Sequence, residues 1–280
     1  MSASLNLLVI FATGIVSYVG FTRAGFLERY LLDNHRVLER GEYYRMFTSG
    51  FLHADWMHLL FNMLGLYFFG GDLESAAGPF RFLLIYVGSI LGGGIASLAL
   101  HGNTPYRALG ASGGVYGVLL SHIFLFPGST LMVFPIPVPL PSWLYAILFI
   151  LASIRGIRSR SDAIGHDAHL GGAVAGLLLT TALYPRIVAV SPALYAAVMG
   201  LALSALVYFG RHARSGAGIP RAVRHRRARP APDDSPEPDD QAVREAIRGV
   251  LLEKLRKHGE GSLSREEREL LERLSRERET

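Results

Sequence analysis

The sequence predicts an all-α fold, a polytopic membrane helix bundle with six core helices, a seventh transmembrane helix and a small soluble helical tail. Half of the 280 residues are hydrophobic and the mean hydropathy is positive. These values are high for a soluble domain and ordinary for a multi-pass membrane protein. Charged residues are absent over long stretches, and none occurs between Ala108 and Ile154.

Seven uncharged apolar blocks give the helix count. They are Leu5–Phe21, Trp56–Gly71, Phe82–Leu100, Ser112–Phe126, Ser142–Ile154, Ala168–Pro185 and Ile187–Gly210. A spanning helix needs about 20 apolar residues, with about 17 as a lower bound. The third, sixth and seventh blocks exceed this bound comfortably and the first just reaches it. The second, fourth and fifth are short, and could span only by starting inside the protein or borrowing flanking residues.

The blocks divide the chain into four predicted regions. Residues 1–186 form the six-helix core and residues 187–210 the additional helix. Residues 211–240 are first basic and then acidic and proline-rich, which is typical of a flexible linker. Residues 241–280 carry apolar residues at helical spacing and a capping box at Ser264, which together predict a helical hairpin.

Two connections have distinct compositions. Residues 22–55 interleave charged and aromatic residues, which suits either a plain interfacial loop or a structured subdomain at the membrane surface. Five prolines between Pro127 and Pro141 forbid a regular helix and predict a loop there. The first block has no basic residues ahead of it, so it is predicted to be a retained helix rather than a signal peptide.

Ser112 opens the fourth block within a run of small residues. Tyr116 follows it by four residues and Gly117 follows Gly113 by four. A helix starting here therefore has one stripe with the serine and the tyrosine, and a neighbouring stripe of bare backbone that lets another helix come close.

The sixth block carries a matching pattern around His169. Gly172 and Gly176 are four residues apart on the side that holds the imidazole. If the two glycine faces pack together, the hydroxyl of Ser112 and the imidazole of His169 come within hydrogen-bond reach, as a nucleophile and its general base require.

A plainer role for Ser112 is that of a helix N-cap, which is common for serine. The helix runs only about 15 residues before Pro127, too few to span a bilayer alone. We therefore expect it to begin below the surface, with Ser112 at an N-terminus whose unpaired N–H groups favour a developing negative charge.

Two polar residues share one face of the second helix. His58 and Asn62 are four apart and offer side-chain donors aimed the same way, which an oxyanion requires. His53 lies further out and is assigned a structural role. Two histidines three residues apart, His166 and His169, have Asp167 between them and could suggest a metal site. The sequence offers no third or fourth ligand at suitable spacing, so neither a metal nor another cofactor is predicted. Asp167 points elsewhere on the helix than His169.

Taken together, these motifs resemble the rhomboid family of intramembrane serine proteases. The resemblance covers about residues 5–185 and rests on His58-x-x-x-Asn62, Gly110-x-Ser112-Gly113 and Ala168-His169 with Gly172, in the expected order.

The resemblance implies a role for each matching residue. Ser112 would be the nucleophile and His169 its base, without a required acid. His58, Asn62 and the Ser112 amide would bind the oxyanion. Gly110, Gly113 and Gly172 would support the close packing, and Tyr116 would pack on the His169 ring. Arg45 and Glu74 match positions that stabilise the first connection and its neighbouring helices.

The implied partners are transmembrane protein substrates and the lipid bilayer, in a bacterial or archaeal cell membrane. The family arrangement places the N-terminus in the cytoplasm, whereas the arginines of the loops at 22–55 and 155–167 favour the opposite orientation.

Three other readings stay open. A rhomboid-like pseudoprotease would bind transmembrane clients without cutting them, and would usually have lost its serine or histidine. A small transporter would show repeats or matching broken helices, which are not evident. The basic part of the tail is interrupted by acidic residues and lacks a nucleic-acid motif, so we expect a soluble partner or self-association instead.

Overall fold

The computed structural model describes residues 4–102, 104–133, 138–159 and 165–214, with residues 251–257, 259, 264, 267, 268 and 271 of the tail. The chain divides into two compact units, Met1–Ala222 and Val223–Thr280. The predicted linker at 211–240 lies outside the described residues except for its first four.

The first unit is built almost entirely from helices. Their bounds are α1 Leu5–Thr22, α2 Phe26–Tyr30, α3 Asn34–Arg40, α4 Tyr44–Thr48, α5 Trp56–Gly65, α6 Gly71–Ala77, α7 Pro79–His101, α8 Ser112–Leu125, α9 Ser142–Ser159, α10 His166–Leu183, α11 Arg186–Val190 and α12 Pro192–Arg214. A 3-10 turn at Ser49–Phe51 precedes α5, and a π-helical turn at Leu66–Gly70 joins α5 to α6. Two short antiparallel pairs complete the unit, β1 Leu32–Asp33 with β2 Arg107–Ala108 and β3 Thr130–Val133 with β4 Val138–Pro141.

Four of the described helices are long and apolar enough to cross a membrane, namely α1, α7, α9 and the first twenty residues of α12. The fifth block was predicted to span only by starting inside the protein or by borrowing flanking residues, and it borrows them, because α9 continues through Arg155 and Arg158 to Ser159. The sixth block was predicted to span comfortably, but α10 is not among the four, because His166, Asp167 and His169 occupy its first turn.

Helices α7, α8 and α10 form the centre of the bundle. The buried apolar residues make two clusters, one centred on α8, α9 and α10 and the other on α6, α7 and the start of α8. Helix α12 packs beside the first cluster through Val198, Met199 and Ala202. Its Tyr195 hydroxyl lies 2.7 Å from the Thr181 hydroxyl of α10.

The seventh helix starts later than predicted. Residues 186–190 form the separate short helix α11, and Pro192 opens α12. Proline is well placed in the first turn because its missing N–H group has no helical partner there.

Glu74 fastens the first helix to the core. Its carboxylate accepts hydrogen bonds from the Ser4 hydroxyl at 2.6 Å, the Leu5 amide at 2.7 Å and the Asn6 amide at 3.0 Å. An anion at these unpaired N–H groups also complements the helix dipole. Glu74 therefore caps α1, which begins almost seventy residues earlier in the chain.

The connection at 22–55 is a structured subdomain rather than a plain loop. Arg45 is buried and donates to the backbone carbonyls of Leu31 at 2.9 Å and Glu28 at 3.1 Å. Its guanidinium also pairs with Glu42, whose pKa this hydrogen bond holds below its ordinary value. One arginine of α4 thus holds α2 and the residue that follows it.

The proline-rich segment after α8 is a pair of strands, where the sequence predicted only a loop. Leu131 pairs with Leu140, and Met132 pairs with Pro139. Because the prolines of β4 recur at every second position, their missing N–H groups fall on one edge and leave those of Val138 and Leu140 for pairing.

In the second unit, residues 251–257 are helical, and Lys254 pairs with Glu267 at 2.7 Å. The capping box at Ser264 is present, because its amide donates to the Glu267 carboxylate and its hydroxyl accepts from the Glu267 amide. Apart from residues 259, 268 and 271, the rest of the predicted hairpin lies outside the described residues.

Candidate active site

Ser112 is the first residue of α8. Ala111 occupies the N-cap position, and Gly110 before it has a φ of 136°, a conformation that glycine adopts without strain. The alternative that Ser112 serves only as an N-cap therefore does not describe this helix. Because Ser112 opens the helix, no helical carbonyl lies four residues before it to accept from its hydroxyl.

The Ser112 hydroxyl and the His169 imidazole are in direct contact. The distance from Oγ to Nε2 is 2.7 Å, although the two residues are 57 positions apart in the chain. Both side chains are half-buried, so the pair is within reach of a reactant. This is the geometry in which an imidazole can take the proton of an attacking hydroxyl.

The contact depends on bare backbone between α8 and α10. A Cβ atom added to Gly172 would lie 2.7 Å from the Gly113 Cα and closer still to the Gly113 carbonyl. Real Cβ atoms do not approach other atoms so closely. The two glycine faces predicted from the sequence therefore pack against each other, and only glycine fits at Gly172.

Two aromatic rings pack one behind the other on the imidazole of His169. Tyr116 lies one turn after Ser112, and its ring centroid is 4.6 Å from that of His169. On its other side Tyr116 stacks on Phe149 of α9 at 4.2 Å. The imidazole is thus held between a hydroxyl at one ring nitrogen and an aromatic face.

The imidazole of His58 lies beside Gly110, two residues before the serine. A Cβ atom added to Gly110 would be 2.9 Å from the His58 Nε2 and 3.5 Å from the Ser112 Oγ. Asn62 is buried on the same face of α5, but its amide nitrogen donates to the His58 carbonyl at 2.8 Å. One of its two N–H groups is therefore occupied by its own helix.

His53 was assigned a structural role without a partner, and the structure supplies its contacts. It is fully buried in the connection before α5, and its Nε2 accepts from the Ala111 amide at 3.4 Å. Since an amide can only donate, Nδ1 carries the ring proton and donates to the Ser17 hydroxyl at 2.8 Å. Ser17 in turn donates to the Phe51 carbonyl at 3.0 Å.

This relay keeps His53 neutral and links α1 to the residue before the serine. Burial, with a smaller contribution from the neighbouring His58, lowers the pKa of His53 from 6.5 to about 3. The two imidazole rings meet edge to face at 4.9 Å. Nothing in the local sequence around His53 indicates either partner, because both come from distant elements.

Asp167 binds side chains outside the pair of Ser112 and His169. Its carboxylate faces away from the serine, with one oxygen 2.9 Å from the Tyr106 hydroxyl and the other 3.3 Å from the His101 Nε2. Sequence spacing indicated that Asp167 points elsewhere, but could not identify these partners.

The remaining predicted residues lie in supporting positions. In the described residues the hydrogen bonds of Arg45 and Glu74 go to the elements given above, and not to Ser112 or His169. No group of three or more His, Asp or Glu side chains in the described chain is placed to hold a metal ion.

Comparison with known proteins identifies one family. The family model described as the rhomboid domain matches residues 40–186, just over half of the chain. RHOMBOID-like protein 12, mitochondrial, of Arabidopsis thaliana is 33% identical over 168 residues, covering 53% of this chain and 50% of that protein. Rhomboid protein 1, mitochondrial, of Saccharomyces cerevisiae is 32% identical, covering 55% of this chain and 45% of that protein. Rhomboid protease GluP of Bacillus subtilis is 30% identical, covering 70% and 37%.

The chain thus spans half or less of the length of these three relatives. Two of them are mitochondrial and one is bacterial, so the expected bacterial or archaeal membrane gains no support from them. The apolar helices and the family match together identify a multi-pass membrane protein.

The packing of α8 on α10 predicts the effect of one methyl group. Gly172→Ala should push the two helices apart, lengthen the contact between Ser112 and His169, and lower the thermal midpoint of unfolding in detergent by several degrees. Gly14→Ala is the matched control, because a Cβ atom there meets nothing within 4 Å. Equal midpoints for the two variants would contradict the packing described here.

The neutral state of His53 predicts a pH dependence of stability. Above pH 6.5 the imidazole is neutral in both states and its contribution is complete. As the pH falls from about 6.5 towards 3, the unfolded chain takes up a proton that the folded protein does not, so stability is lost. The midpoint of unfolding of the wild type should therefore fall more steeply over this interval than that of His53→Gln, measured in the same detergent. Parallel curves would show that His53 does not titrate in this way.

Proposed function

The chain belongs to the rhomboid family, and we propose that it is an intramembrane serine endopeptidase that cleaves membrane proteins at their transmembrane segments. The family includes intramembrane serine proteases as well as inactive members. The observation that carries the proposal is the 2.7 Å contact between the Ser112 hydroxyl and the His169 imidazole. A contact of this kind supports a nucleophile with its base.

The proposed reaction is acyl transfer through Ser112. His169 Nε2 takes the hydroxyl proton as Oγ attacks the carbonyl carbon of the scissile peptide. The tetrahedral intermediate collapses as His169 returns that proton to the leaving amine, and the acyl group remains on Oγ. Water then attacks the ester, with His169 again as base, and releases the acid and the free serine.

Donors around the serine would stabilise the intermediate. The Ser112 amide belongs to the first turn of α8, and the His58 ring lies beside Gly110, two residues before the serine. Asn62 would contribute its second N–H group from the same face of α5. Donors fixed in place before the charge develops are the main source of stabilisation in such sites.

The proposed substrates are transmembrane segments that unwind readily near the membrane surface. A peptide bond inside a stable helix is shielded by its own hydrogen bonds, so only an unwound segment can present its carbonyl carbon to Ser112. The lipid bilayer would hold both molecules in the same plane.

A pseudoprotease that binds clients without cutting them is the rival proposal. It draws on the orientation of Asn62, whose amide already donates to the His58 carbonyl. The formed contact between Ser112 and His169 favours the protease.

We further propose that the tail, residues 241–280, binds a soluble partner or self-associates. The proposed location is a bacterial or archaeal cell membrane.

Covalent labelling by a fluorophosphonate probe tests the proposed function. Ser112 Oγ should displace fluoride from phosphorus, with His169 taking the hydroxyl proton. The wild type in detergent or liposomes should be labelled, and Ser112→Ala and His169→Ala should not. Ser75→Ala and His35→Ala are matched controls at exposed positions and should be labelled like the wild type. A folded wild type that is not labelled would favour the pseudoprotease.

The donor assignment predicts partial rather than complete loss. Removing one oxyanion donor typically lowers the rate about 10²–10³-fold. His58→Ala and Asn62→Ala should therefore cleave a transmembrane model substrate more slowly by about this factor. Wild-type cleavage by either variant would remove that residue from the assignment.

A further inference from the structure

We propose that Asp167 is a positioning residue for the base His169, because its carboxylate ties the first turn of α10 to the connection that leads into Ser112. This inference rests on the proposed function and adds to it a set of residues, Asp167, Tyr106 and His101, that we call the carboxylate tether.

The carboxylate of Asp167 is buried, with only 5% of the residue exposed. One oxygen accepts from the Tyr106 hydroxyl at 2.9 Å, and the other lies 3.3 Å from the His101 Nε2. A buried charge is tolerated only where it is paired and hydrogen-bonded, so the partners of Asp167 are fixed together with it. Asp167 also lies in the first turn of α10, where a negative charge complements the helix dipole.

The two partners hold each other. The His101 and Tyr106 rings are stacked, with centroids 3.7 Å apart and planes 11° from parallel. His101 is the last residue of α7, and Tyr106 lies in the connection between α7 and α8. The carboxylate therefore binds a stacked pair rather than two independent side chains.

The connection is anchored on its other side as well. The Tyr106 carbonyl accepts from the Asn34 amide at 3.1 Å. The next residue, Arg107, pairs with Asp33 at 3.1 Å and with Glu28 at 2.9 Å. Burial would raise the pKa of Asp33, but its hydrogen bonds from the Arg36 amide and the Arg107 side chain bring that pKa below its ordinary value.

Nearer the serine, the Gly110 amide donates to the Ser49 carbonyl at 3.0 Å. The connection that holds Tyr106 is thus bound to the subdomain at 22–55, and Asp167 attaches α10 to that connection.

The position of Asp167 in the helix makes this attachment matter for His169. Residues two apart on a helix point about 200° apart, so Asp167 faces the connection while His169 faces the serine. The first turn of a helix is the part held least by its own backbone hydrogen bonds. A tether on one side of this turn fixes the side chain on the other, and misplacement by about 1 Å can cost about 10²-fold in rate.

A role in stability alone would give the same contacts, so the experiment must separate chemistry from folding. Fluorophosphonate labelling supplies two constants, the maximal rate of inactivation and the probe concentration for half-maximal rate. We compare Tyr106→Phe, Asp167→Asn and Asp167→Ala with the wild type, at a temperature well below the unfolding midpoint of each variant. Tyr43→Phe removes an exposed hydroxyl and is the matched control.

The tether predicts that Tyr106→Phe lowers the maximal rate about threefold to tenfold, while the half-maximal concentration changes less than about twofold. Asp167→Ala should lower the rate by about tenfold or more. Asp167→Asn should recover part of that loss, because it keeps the oxygen that accepts from Tyr106. Combining Tyr106→Phe with Asp167→Ala should add little to Asp167→Ala alone, since both remove the same bond.

Wild-type maximal rates in Tyr106→Phe and Asp167→Ala, with only their unfolding midpoints lowered, would overturn the inference and leave Asp167 a purely structural residue. An equal loss in Tyr43→Phe would overturn it as well. A folded wild type that is not labelled would instead overturn the proposed function, and with it this inference.

Discussion

Helices α8 and α10 approach each other until backbone meets backbone, and the rest of the structure depends on that approach. No side-chain atom fits at Gly172, and a Cβ atom on Gly113 would lie 3.3 Å from the Ala168 carbonyl. In hydrocarbon there is no hydrophobic force between helices, so such packing stabilises the helix bundle through dispersion and direct polar contacts. Helix α7 joins in the same way, because its Gly93 lies against Ala168. The spacing between the three central helices is therefore set by contacts of backbone atoms and not by flexible side chains.

Within these helices, the hydroxyl groups are used in two different ways. Ser89, Ser121 and Thr180 donate to carbonyls of their own helices four residues earlier, at 2.6 to 2.8 Å. Such bonds satisfy a polar group that would otherwise be costly in a membrane. Ser112 opens its helix and has no such carbonyl, so its hydroxyl is left to meet His169. Ser112 differs from the other three hydroxyl residues because of its position at the start of α8, and not because of any property of serine itself.

Much of this arrangement follows from the sequence, and the exceptions have a common cause. The uncharged blocks predicted the helix bundle, and the glycine spacings around Ser112 and His169 predicted which faces meet. These signals are local and periodic. The partners of His53, Asp167 and Glu74 come from elements between about 36 and 70 residues away, and no spacing along the chain reports such contacts. The strands after α8 are not evident in the sequence, because prolines at alternate positions break a helix and also fit one edge of a strand.

The relay through His53 extends the support of the candidate site beyond the residues that the family model matches. The match begins at residue 40, yet the amide next to the candidate nucleophile is bound through His53 to Ser17 in α1. Because the Ala111 amide donates to Nε2, the ring proton lies on Nδ1 and is donated to the Ser17 hydroxyl, so replacing Ser17 alone would leave His53 without its acceptor. A change at either position therefore breaks the same chain of hydrogen bonds. By this measure α1 belongs to the support of the site, although it lies ahead of the residues that the family model matches.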